Sequence, residues 1–420
     1  MLFLKECRKA LFSLTFLIYL VAVIGFYYTQ FSPDTGKDKK LSPPIQGVED
    51  YGTVIKETPE ILMPASAEGL VTEYLRGYYK AYPIGFYKEV KLSEKKSMQI
   101  AEIITEITGI TKQELDSFSG FDEGGTTMIP DGNGGYMPVV KEATLPEINI
   151  PDTMTYKHFR ELMRKADKII GGGSEYSDNF ILGNFSRVPK TYDDAMADYN
   201  YIIEKDKVTG AYARLFCDYI GIIVSILPVF VAASLINADR KSRMEQLIYS
   251  RKISSAKLVF TRFTALITML FIPVIILAFI ASFSIIKLYP EYSIDFFAIL
   301  KMSVYWLLPN ILFSTALGML FTEIFSPLIA VFAQGVLWFA SVMVNTGLTG
   351  NIRKLTLVCR HNSLYGGDVF IENSGKFIFN RLFYTAIALV IIMMTSWIYS
   401  MKRKGNFNVI RKNFISKSKT

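Results

Sequence analysis

Cysteine is almost missing. Only Cys7, Cys217 and Cys359 occur in 420 residues, and the polar stretch 31–212 holds none. A disulfide framework is excluded there, so that stretch must fold round a core of its own. Histidine is rarer still: His158 and His361 stand alone, too few for a metal cluster. No segment reads G-x-x-x-x-G-K-[ST], so the chain has no P-loop with which to hold ATP. No acid, lysine or arginine falls in the middle of a long apolar run. A relay that drives protons or ions from within is therefore unsupported, and any transport needs an outside source of energy. Nothing in 31–212 spaces a nucleophile with a base, which leaves a membrane-bound hydrolase without a site.

What abounds is apolar sequence. Half of the residues are hydrophobic, gathered in runs at 10–30, 215–236, 263–286, 302–322, 327–345 and 381–400. A helix crosses a bilayer with about 20 such residues. The expected fold class is a polytopic α-helical membrane protein with six transmembrane helices. An extracytoplasmic, mainly helical α+β domain is expected over 31–212, and the remaining spans over 213–400. Residues 1–9 are amphipathic and suit the membrane interface. The first run ends in a Tyr27–Tyr28 interfacial belt and is followed by no small-x-small site, so it reads as an uncleaved anchor over 1–30.

The formal charge of +8 sits beside these runs, and explains itself without nucleic acid. The tail 401–420 carries seven basic residues and no acid. Lys and Arg collect on the cytoplasmic side, so both termini are expected in the cytosol, with the chain in the plasma membrane of a bacterium. One segment dissents: 346–380 should lie outside, yet holds Arg353, Lys354, Arg360 and Lys376.

Within 31–212, helices are expected over 64–80, 93–118, 155–169 and 191–206. Ile100, Ile103, Ile104 and Ile107 recur at helical spacing, Ser93 can cap, and Thr111 with Glu114 forms a capping box. TTMIP and YMPVV read as extended pieces. Asp131, Asn133 and Glu142 mimic a calcium loop, but Tyr136 stands where Gly is required, so the stretch reads as a plain turn. Gly171–Gly173 reads as a hinge.

The segment 237–257, NADRKSRMEQLIYSRKISSAK, sets six basic residues between two apolar runs. It reads as a cytoplasmic helix–turn–helix, with Ser254 capping the second helix. The string DRKSRMEQLIYSRKISSAKLVFTR resembles the connector between the second and third spans of ABC-2 type permeases, the membrane subunits of ATP-binding-cassette exporters. Glu245 to Leu247 match its Glu-x-Leu piece, Ser250 to Ile253 its short break, and Lys257 the lysine entering the next span. Ser242 stands where the family has Gly, and the Pro of the break is missing.

The resemblance implies that this connector couples to a separate ABC ATPase subunit, through Arg243, Glu245, Leu247, Arg251, Ser254 and Lys257. It implies pairing with a second permease copy or a sister permease among membrane lipid, re-entrant half-helices within 346–380, and no cofactor held by this chain. Cargo stays open among drugs, peptides, lipids and ions. Asn310 and Gln334 either line a translocation path or bind helices together. The alternative is a cell-surface receptor or assembly protein with a ligand-binding ectodomain and no transport.

Overall fold

The computed structural model describes residues 2–36, 40–47, 50–83, 85–118, 145–242, 248–250, 252–343 and 355–406, and the backbone of 125–130 and 136–141. Arg243, Glu245, Leu247 and Arg251, and the turn at 131–135, lie outside the described residues. The chain divides into two compact units: Met1–Pro44 with Asp194–Thr420, and Ile45–Asp193. The inserted unit is thus shorter than the polar stretch 31–212. Residues 194–212 pack with the other unit through contacts such as Tyr199 to Tyr292, 2.6 Å between hydroxyls.

In chain order, α1 (Leu2–Leu11) is the short amphipathic helix. α2 (Leu14–Phe26) starts at Ser13, whose Oγ accepts the Phe16 N–H, and it runs on through a π turn at Tyr27–Phe31. That turn carries Tyr27 and Phe31 inward against Phe216, so of the expected belt only Tyr28 stays exposed.

The inserted unit holds α3 (Pro59–Arg76), α4 (Glu94–Thr108), α5 (Lys112–Ser117), α6 (Tyr156–Ile170) and α7 (Ile181–Phe185). Pro59 in the first turn and left-handed Gly77 after the last set the limits of α3. The Thr111–Glu114 capping box forms, whereas Ser93 sits at the N-cap of α4 without a side-chain bond. Leu62, Leu70, Ile100, Ile104, Phe159 and Leu162 close one core. The unit also holds three antiparallel pairs. β1 (Thr53–Ile55) joins β6 (Arg187–Pro189), β2 (Tyr79–Ala81) joins β3 (Lys88–Val90), and β4 (Gly125–Pro130) joins β5 (Tyr136–Lys141). Gly171–Gly173, the stretch read as a hinge, forms the corner after α6. All three residues take positive φ, and Gly173 lies so close to Pro83 that a Cβ there would stand 3.0 Å from its Cα.

The second unit continues with α8 (Tyr192–Glu204), α9 (Thr209–Val224), α10 (Pro228–Lys241), α11 (Ser255–Leu288), α12 (Ala298–Ile324), α13 (Pro327–Met343), α14 (Gly367–Glu372) and α15 (Ser374–Arg403). Leu14–Phe31, Thr209–Asp239, α11, α12 and α15 are long and apolar enough to cross a membrane, which makes this, by length and composition, a helical membrane protein. The sixth apolar helix, α13, has only 17 residues. α12 is the central post, packed against α9, α10, α11, α13 and α15. Gly318 lets it approach α10 closely: a Cβ there would stand 3.1 Å from Ala232 Cβ and from the Val229 carbonyl.

Several helices outrun their hydropathy. α11 begins at Ser255, not 263, and α15 at Ser374, not 381. A charge lowers local hydropathy and reads as an end, but Arg262 and Arg381 are buried inside their helices because neighbours satisfy them.

Candidate functional site

The bundle unit has two polar clusters, each with its own chemistry. At one end lie α1, the last turns of α15, and residues 248–250 and 252–254 of the connector. Of the six coupling candidates, Ser254 and Lys257 fall on described residues and sit together: Ser254 caps α11, its Oγ accepting the Lys257 N–H at 3.2 Å, and both side chains are exposed. The connector is strapped to α15 at two points. Tyr249 packs edge-on against Tyr399, with ring centroids 5.4 Å apart. Arg403 donates to the Ile253 carbonyl. One residue earlier, Lys402 lies 3.0 Å from the Glu323 carboxylate and also donates to the Glu323 carbonyl, joining α15 to α12.

Beside them, Arg262 bridges Glu6 and Asp239, while Lys9 reaches Asp239 at 2.6 Å. This cluster binds α1, α10 and α11. Removing one partner of such largely buried pairs costs about 3–5 kcal/mol, because the other charge is left stranded.

At the opposite end the irregular segment 355–366 runs through the interior, with Thr356–Cys359 buried. Its backbone has no helix to satisfy it, so side chains do. Asp218 takes Arg360 in a two-pronged pair at 2.8 and 3.0 Å and accepts the His361 N–H at 2.6 Å. Arg360, one of four basic residues that made 346–380 look cytoplasmic, is therefore neutralised internally. Arg214 pairs with Asp206 at 2.6 and 2.8 Å and also donates to the Leu364 carbonyl. Gly367 lies against this pair, and a Cβ there would come within 2.7 Å of Asp206 Oδ2. His361 directs Nε2 at the Tyr365 carbonyl, 2.9 Å away, and burial, aided by Arg214, pushes its pKa down to about 4.

Arg381 completes this end. It is 2% exposed, and its guanidinium donates to the carbonyls of Trp306, Thr356 and Leu357, to Cys359 Sγ, and to the side-chain oxygens of Asn380 and Asn310. All these acceptors are neutral. A guanidinium suits the task because it alone offers five N–H donors in a fixed fork.

Asn310, a candidate for lining a path, is thus committed through Oδ1 to Arg381 at 2.6 Å. Gln334, the other, has a different task. α9 ends at Val224, and α10 starts with Pro228, which has no amide to donate. The Ile226 and Leu227 amides both turn to the Ile223 carbonyl. Gln334 donates to the carbonyl of Ser225, and Trp338, one turn along α13, donates to that of Ile222 at 2.8 Å. The structure does not bring Asn310 and Gln334 into one hydrogen-bonded group.

Sequence reasoning missed the networks of Asp218, Arg214, Arg360 and Arg381. An aspartate within an apolar run was the available signal, since it demands a buried partner. Among the described residues, no three His, Cys, Asp or Glu side chains gather as a metal ion requires. Compared with protein-family models, curated proteins and solved structures, the chain matches none.

Proposed function

We propose that this chain is the permease subunit of an ATP-driven exporter in a bacterial plasma membrane, powered by a separate ATPase subunit docked on the connector 237–257. Two copies, or this chain and a sister, would pair, with the termini cytoplasmic and the inserted unit outside. The observation that carries the reading is mechanical. The connector is joined to α15 by the Tyr249–Tyr399 contact and by Arg403 at Ile253, and α15 is joined to the central α12 by Lys402 at Glu323. A push on the connector would therefore reach the helix that packs against most of the bundle. The resemblance of Glu245–Leu247 and Lys257 to a coupling element supplies the motor, and the missing P-loop requires it.

The test has two arms. The solubilised chain should co-purify with an ATP-binding subunit, and Glu245→Gln should leave that complex intact while uncoupling hydrolysis from export. Unchanged coupled turnover would count against the assignment. Cysteines introduced by Ser242→Cys and Ser250→Cys should resist thiol reagents that cannot enter cells; ready labelling would put the connector on the wrong face. The receptor reading has one observation in its favour, an inserted unit with a separate core. Ligand binding by that unit, with no ATPase partner recovered, would favour it.

A further inference from the structure

We infer that an anionic phospholipid seats its head group in a groove between the start of α11 and the last turns of α15. The groove is open to one side and has a volume of about 640 Å³. Ser254 and Ser255 form one wall; Ser400, Arg403 and Lys404 form the other, continued by Trp397 and Met393. Among the described residues, no carboxylate lines it.

Two independent features point to a lipid. The first is the order of chemistry along α15. From Lys404 back to Met393 the helix advances about 16 Å, presenting cations, a hydroxyl, an indole and a thioether in turn. A phospholipid offers phosphate, ester and chain in that order and over a similar depth. Trp397 and Met393 are 59% and 57% exposed, and an indole favours the ester level of a bilayer.

The second is charge. Arg403 is fixed at the groove's edge by its bond to the Ile253 carbonyl, and Lys404 is exposed beside it. α11 has 34 residues, and the first amides of a helix have no intrahelical acceptor, so its start adds partial positive charge. A zwitterionic head group would bring an ammonium into this field. An anionic one brings only charge opposite in sign to Lys404 and the helix start.

The test uses the full-length protein in detergent and quenching of tryptophan fluorescence by lipids with brominated chains. Subtracting the Trp397→Phe signal isolates Trp397. Brominated phosphatidylglycerol should half-saturate at a concentration about fivefold below that of brominated phosphatidylcholine. Lys404→Gln should bring the ratio close to one. Arg403 also braces Ile253, so the second variant is Ser400→Leu, which fills the groove without altering charge and should weaken both lipids. Equal half-saturation in the unaltered protein, or an unchanged ratio in Lys404→Gln, overturns the proposal. So does displacement by glycerol 3-phosphate alone, which would mark a site for free phosphate instead of lipid.

Discussion

Among the described residues, two buried ionisable side chains, Glu73 and Arg381, are held without an opposite charge hydrogen-bonded to them, and they belong to different units. In the inserted unit Glu73 is 3% exposed and accepts from the Lys80 N–H at 2.9 Å and the Tyr176 hydroxyl at 2.7 Å. In the bundle unit Arg381 donates only to neutral oxygens and a sulfur. The acid has an exit that the base lacks. Burial lifts the Glu73 carboxyl to about 7, so it can take up a proton and become neutral near neutrality. Arginine stays charged in proteins, so Arg381 needs its full set of acceptors at every pH. A buried acid can thus make a unit conditional on pH, and a buried arginine makes a segment permanently dependent on one side chain.

The largest expected effect is at Arg381. Arg381→Leu orphans the carbonyls of Thr356, Leu357 and Trp306 together, and should cost about 4 kcal/mol or more. The measurement is thermal unfolding of the full chain in detergent, and Arg381→Lys, with three donors for five, should fall between. Wild-type stability in Arg381→Leu would mean that the carbonyls find other donors.

Glu73 comes next. Its folded pKa is raised, so the folded state binds the proton more tightly. The associated stability is fully present below about pH 4.5, the unfolded value, and is lost as pH rises through about 7. The loss should be roughly 2–3 kcal/mol, read as faster hydrogen exchange in α3 and β2 at pH 8 than at pH 5, after correction for intrinsic rates. Glu73→Gln should flatten that dependence. The smallest effect is at Gln334: Gln334→Leu removes one donor to the α9 break and should cost about 1 kcal/mol, measured by the same thermal unfolding.

Much of the scaffold was legible in order and type. The capping box at Thr111, the Ser254 cap, the isoleucine face of α4 and the pieces that became β4 and β5 all follow from local rules. Local rules fail where partners are remote. Arg360 and Asp218 are 142 residues apart, and no short-range pattern joins them. Arg381 read as the edge of a span because hydropathy counts its charge and cannot count the acceptors that answer it. The coupling candidates are legible as a motif, and Ser254 and Lys257 meet as the cap requires. What the sequence could not disclose is that the connector is gripped by the last helix, since Tyr399 and Arg403 lie about 150 residues downstream.

The interruption between α9 and α10 has a mechanical corollary. Gln334 and Trp338 sit one turn apart on the same stripe of α13, and each closes a carbonyl that the break exposes. Rolling α13 by one residue, about 100°, would withdraw both donors in a single movement. The joint in the second membrane helix is thus latched from the side, by two donors on one short neighbour.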